Sequence, residues 1–93
     1  MIRRQLKIVN RLGLHMRAAN VLADAASRFA SAVHVSRGGV RVNGKSIMGL
    51  MMLAAPAGTE IIIEVAGPDE EGAAADLARL VGEGFGEDTD GEP

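Results

Sequence analysis

The chain carries two histidines, and their settings differ. His15 follows Gly13-Leu14 and stands where an alanine-rich helical pattern begins, in GLHMRAA at 13–19. The first-turn amides of a helix lack intrahelical partners and carry the positive end of its dipole, so such a terminus binds phosphate. The same dipole disfavours imidazolium and leaves a neutral, nucleophilic ring. Arg17, two residues on, can pair with phosphate oxygens through charge-assisted hydrogen bonds. Neutral imidazole, helix amides and guanidinium are the parts from which a phosphohistidine site is built. An ordinary residue at a helix start would look the same, and residue chemistry alone leaves both readings open. His34 lies between Val33 and Val35 and reads as an exposed strand residue with no helix start beside it.

A second segment could handle phosphate. GVRVNGKS at 39–46 fits the P-loop pattern G-x-x-x-x-G-K-[ST] letter for letter. A working P-loop is a glycine-rich loop between a strand and a helix. Here Val40-Arg41-Val42 is β-branched and alternating, which is strand chemistry, and 93 residues leave little room for a doubly wound parallel sheet. Ser46 is better read as the N-cap of a short helix.

The elements that must position these residues follow from periodicity. Residues 2–9 alternate, with Ile2, Leu6 and Ile8 against Arg3, Gln5 and Lys7, as a half-buried strand does. From Met16 to Phe29, Ala18, Leu22, Ala25, Ala26 and Phe29 recur at helical spacing. Residues 32–37 alternate again, Gly38-Gly39 makes a hairpin turn, and Val40 and Val42 return as a strand. Ser46 to Leu53 reads as a short capped helix, and residues 59–66 as a strand with Ile61, Ile63 and Val65 inward. Pro68 with Asp69, Glu70 and Glu71 opens a last helix that Gly82 and Gly84 end. The predicted fold is an α/β (α+β) open-faced sandwich of order βαββαβα. Its four-stranded, mostly antiparallel sheet carries three helices on one face. In the short helix Ile47, Met48 and Met51 share one side and Leu50 and Leu53 the other, so one set faces the core and the other stays partly exposed.

Composition narrows the function classes. With two Phe, no Trp and no Tyr, the core must be aliphatic. The absence of Cys removes disulfides, thiolate metal sites and cysteine nucleophiles. Two distant histidines make no recognisable metal ligand set, so neither metal nor cofactor is expected. RNA-binding sheets of this size stack bases on aromatics, and these strands have none, so nucleic acid is not an expected partner. The opening MIRRQLKIVN is charged and alternating, unlike a signal peptide, and no run approaches the ~18 apolar residues of a membrane span. The cytoplasm is the expected compartment, and a monomer the expected state. Residues 1–45 carry a net charge of +8 and residues 46–93 one of −10. Such asymmetry suits a basic face that meets an acidic or phosphorylated partner. The stretch from residue 85 to 93 reads as an acidic, disordered tail after a domain of residues 1–84.

GLHMRAA at 13–19 together with VNGKSIMGLMMLAA at 42–55 resembles the HPr phosphocarrier family of the bacterial phosphoenolpyruvate-dependent phosphotransferase system. The resemblance covers residues 1 to about 84, and the element order agrees. It implies that His15 accepts phosphate on Nδ1 from phospho-enzyme I and passes it to a histidine of an enzyme IIA domain, with Arg17 assisting. The chain would then be a stoichiometric carrier, not an enzyme, serving sugar uptake or a regulatory phosphorelay. The resemblance also implies that Ser46 is a regulatory site for HPr kinase/phosphorylase, against the alternative of a purely structural cap. Ile47, Met48 and Met51, with Lys45 nearby, become a docking patch. Two other functions compete: a regulatory interaction protein controlled mainly through Ser46, and a small nucleotide-binding protein of P-loop type. The family usually reads G-L-H-A-R-P-A, whereas this chain has Met16 for Ala and Ala18 for Pro. Met16 adds flexible bulk beside His15, and Ala18 lacks the proline that pre-sets a first turn.

Overall fold

Alternation of β-branched residues builds the centre of the sheet. Ile61, Ile63 and Val65 are buried on one side of their strand, while Ile62 and Glu64 lie on the other, less covered side. The computed structural model describes residues 1–87 and runs β1 (Ile2–Lys7), α1 (Met16–Ser27), β2 (Ala32–Arg37), β3 (Val40–Asn43), α2 (Ile47–Met52), β4 (Glu60–Ala66) and α3 (Glu70–Gly82). A 3-10 turn over Gly84–Gly86 follows. The strands are ordered β1-β4-β2-β3, and each of the three pairings is antiparallel. Register is fixed by the apolar face, since Val33 and Val35 of β2 lie opposite Val65 and Ile63 of β4. The expected βαββαβα sandwich is the fold observed.

Apart from Phe85, the buried core is aliphatic. Leu22, Leu50, Ile61, Ile63, Leu77 and Val81 are all fully buried, and the alanines of α1 let that helix approach its neighbours closely. Each such aliphatic side chain contributes about 1.5–3 kcal/mol relative to exposure. Helix α3 packs on β1 and β4, whereas α1 lies against α2 and α3.

Element ends differ from the sequence expectation for local reasons. β1 stops at Lys7, but Ile8 keeps its backbone paired: its N–H donates to Thr59 O and its carbonyl accepts from Gly58 N–H. Helix α3 begins at Glu70, and Asp69, in the N-cap position, makes no side-chain bond to its own helix. The Asp69 carboxylate accepts from the amides of Ala30 and Ser31 and from the Ser31 hydroxyl, which fastens α3 to the turn before β2.

The folded unit also runs past residue 84. Gly84, Phe85 and Gly86 all take positive φ, at 67°, 58° and 78°, and the Phe85 side chain is buried. A bulky residue in this region is strained, and burial of an aromatic ring offsets the cost. Residues 85–87, assigned to the tail from charge and glycine content, therefore pack on the domain because Phe85 gives them an apolar group to bury. The remainder of the expected tail, residues 88–93, lies outside the described residues.

Candidate functional site

The loop before α1 is built to present His15. Gly13 adopts φ +71° and rests against the segment after α2, and Leu14 N–H donates to Ala55 O at 2.8 Å. His15 is the N-cap of α1, with extended backbone, and its carbonyl accepts the first helical bond, from Ala19 N–H at 2.8 Å. Capping is done by the ring itself: Nδ1 accepts from Arg17 N–H at 3.3 Å. One ring nitrogen thus faces the first turn of α1. The side chain is 30% exposed in an open cleft of about 730 Å³, lined by Arg11, Leu12, Met16, Arg17, Gly86 and Glu87.

The other ring nitrogen meets a residue that sequence reasoning did not select. Nε2 lies 2.9 Å from both Oε1 and Oε2 of Glu87. Glu87 is held in turn by Asn10, whose Nδ2 donates to Glu87 Oε1 at 3.0 Å and to Gly13 O at 2.7 Å. Burial pushes the Glu87 carboxyl up, but hydrogen bonds from His15 and Asn10, with the positive charge of Arg17, outweigh it and hold the carboxyl below its ordinary value. The one signal for this contact in the sequence was Phe85, an aromatic residue inside an otherwise polar and acidic stretch.

Of the remaining predicted residues, Ile47, Met48 and Met51 are exposed, while Leu50 and Leu53 enter the core. The exposed three line a second groove, of about 540 Å³, together with Met16, Arg17 and Asn20 from α1. The groove and the histidine cleft share Met16 and Arg17, so the apolar surface is continuous with the site. Ser46 is the N-cap of α2, and its Oγ accepts from Gly49 N–H at 3.0 Å. Lys45 is not brought to the groove: its Nζ donates to Phe29 O at 2.9 Å, beyond the last residue of α1.

The P-loop spelling does not form a phosphate-cradling loop. Val40 to Asn43 form strand β3, paired with β2, and the following amides are already used: Gly44 N–H donates to Val33 O, Lys45 N–H to Asn43 Oδ1 and Ser46 N–H to Asn43 O. Its lysine is the one that donates to the Phe29 carbonyl. His34 sits in β2 opposite Asn43 and Glu64, without a helix terminus beside it.

Comparison with known proteins places these features in a group. Residues 2–83 match the family described as PTS HPr component phosphorylation site. The phosphocarrier protein HPr of Neisseria meningitidis serogroup A is 51% identical over 87 residues, covering 94% of this chain and 98% of that protein. The crystal structure of HPr-C-His from Thermoanaerobacter tengcongensis superposes with a TM-score of 0.91 at 38% identity, covering 95% and 99% of the two chains. Crh of Bacillus subtilis, described as a catabolite repression protein whose crystal form is a domain-swapped dimer, superposes with a TM-score of 0.73 at 39% identity, covering 90% and 97%.

Proposed function

The chain belongs to the HPr family of phosphocarrier proteins, and we propose that His15 is the residue that carries the phosphoryl group, on Nδ1. The observation that carries this reading is the direction of Nδ1 toward the first turn of α1. A phosphoryl group bonded there meets backbone amides and a dipole that favour its negative oxygens. Arg17 N–H, which now caps the ring nitrogen, is placed to turn to a phosphoryl oxygen, and the Arg17 guanidinium adds a charge-assisted contact. Ala18, where the family usually has proline, keeps one more amide hydrogen in that turn than proline would allow.

In this reading the phosphoryl group comes from the phosphohistidine of enzyme I. The Nδ1 lone pair attacks phosphorus, the P–N bond to the donor imidazole breaks, and the electron pair returns to the donor nitrogen. Transfer to a histidine of an enzyme IIA domain repeats the exchange with His15 as the leaving group. Nothing is turned over by the chain alone, so it acts as a carrier and not as an enzyme. The exposed groove of Met16, Ile47, Met48 and Met51 offers both partners an apolar surface that is deformable because methionine is unbranched.

A regulatory role for Ser46 is a second reading, favoured by its position immediately before Ile47 in the groove. Phosphorylation by HPr kinase/phosphorylase there would place negative charge at the border of the docking surface.

The carrier reading is tested by intact mass after incubation with phosphoenolpyruvate and enzyme I. One acid-labile phosphate is expected in the wild type and in His34→Ala, and none in His15→Ala. An acid-stable label, or a label that survives His15→Ala, would sink the assignment.

A further inference from the structure

We propose that Glu87, held by Asn10, is a positioning residue that keeps the ring proton of His15 on Nε2, before phosphorylation and after it. A neutral imidazole has one N–H, and the groups facing its two nitrogens decide where that proton sits. Nε2 faces the Glu87 carboxylate at 2.9 Å, and an ionised carboxylate can only accept, so Nε2 donates. Nδ1 faces the Arg17 N–H at 3.3 Å, which can only donate, so Nδ1 offers its lone pair. The two contacts agree on one tautomer, and it is the one whose Nδ1 can attack phosphorus.

Glu87 is itself firmly placed. Asn10 is fully buried, and its Nδ2 reaches two acceptors, Gly13 O and Glu87 Oε1. Rotating that amide would set Oδ1 against both acceptors, so its orientation is fixed. Oδ1 is left buried without a hydrogen-bond partner, a cost that the packing alone gives no reason to accept. The chain reaches Glu87 through three consecutive positive-φ residues anchored by buried Phe85, a strained turn that directs the carboxylate back to the ring.

The second half of the proposal rests on the carrier reading. Once Nδ1 is bonded to phosphorus, a ring that keeps its Nε2 proton is cationic. On transfer the P–N bond breaks, its electron pair returns to Nδ1, and the ring leaves as neutral imidazole with Nε2–H intact. Without that proton the leaving group would be an imidazolide anion, which departs poorly. A carboxylate on Nε2 favours the cationic ring. The charged groups around the ring are Glu87 from the turn after α3, Arg17 from α1 and Arg11 from the preceding loop.

Nitrogen-15 NMR on the full chain separates the two halves. In the unphosphorylated wild type, a proton coupled to Nε2 of His15 should exchange with water more slowly than that of His34. Glu87→Ala should speed this exchange about tenfold or more, by loss of a charge-assisted hydrogen bond. Glu87→Gln retains a carbonyl acceptor without the charge and carries the same test if the alanine variant fails to fold. In phosphorylated Glu87→Gln, the pH at which Nε2 titrates should fall by about half a unit or more. Hydrolysis of the phosphohistidine at pH well above both midpoints, where its rate follows the small protonated fraction, should slow about threefold or more. Exchange unchanged in both variants overturns the tautomer assignment. A titration midpoint unchanged in Glu87→Gln overturns the role in the phosphorylated state. The exchange measurement uses no phosphate donor, so it stands or falls independently of the carrier reading.

Discussion

A methyl group on Gly13 would sit 2.5 Å from the carbonyl oxygen of Ala55, the oxygen that accepts the Leu14 N–H. The same methyl would lie 2.8 Å from Pro56 Cα, and Gly13 has φ +71°. Backbone atoms cannot yield as a side-chain tip can, so the loop that presents His15 would have to lift off. Gly13→Ala is therefore expected to lose about 2–4 kcal/mol in urea unfolding, combining left-handed strain with overpacking. Gly39→Ala, with nothing within 4 Å of its added carbon, should change stability little and serves as the control.

At Ser46, charge and capping can be separated. Aspartate caps a helix as well as serine does, so Ser46→Asp should stay within about 0.5 kcal/mol of wild type. Ser46→Ala loses the bond to Gly49 N–H and should cost about 1 kcal/mol. The aspartate borders the apolar groove, and it should slow phosphorylation of His15 by enzyme I more at low salt than at high salt. An Asp variant phosphorylated at the wild-type rate at low salt would place Ser46 outside the docking surface.

Titration calorimetry with Mg-ATP distinguishes a carrier from a nucleotide-binding protein. Because residues 40–43 of the P-loop spelling are committed to a β-ladder, no saturable binding is expected. Micromolar affinity abolished by Lys45→Ala would overturn that expectation.

Acid should weaken the latch between α3 and the turn before β2. The Ser31 hydroxyl, followed by the Ala30 amide, holds the Asp69 carboxyl below its ordinary value against slight desolvation. A carboxyl depressed in the folded state stabilises the fold above its unfolded value, and that contribution disappears as pH falls through the folded value. Melting temperature should therefore decline from about pH 5 downward, and less steeply in Asp69→Asn. Parallel declines in the two proteins would remove Asp69 from the explanation.

The sheet and the helices were legible in the sequence because their periodicities are local. Ile61, Ile63 and Val65 alternate within one strand, and Leu50 and Leu53 separate from Met48 and Met51 within two turns. His15 was legible because a helix start is also a local event, marked by Gly13 and the alanines after it. Glu87 was not, since its contact with His15 spans 72 positions and depends on a turn with three positive φ values. No pattern of residue types announces such a path. Charge content pointed instead to a solvated tail, and the single Phe85 decided otherwise. Lys45 shows the opposite failure: a lysine beside a groove looks available until the Phe29 carbonyl is seen to hold it.

The strand order also governs when the site can come into being. β1 is an edge strand whose ladder runs to β4, with Ile2 opposite Val65 and Lys7 opposite Glu60. During synthesis the first strand therefore waits, unpaired, until most of the chain has been made, and pairings of such long sequence separation close slowly. The supports of His15 arrive later than the histidine itself: Ala55 receives its loop, and Glu87 reaches its ring after every strand and helix is complete. A nascent chain thus displays the imidazole long before the contacts that hold it in the folded protein can form.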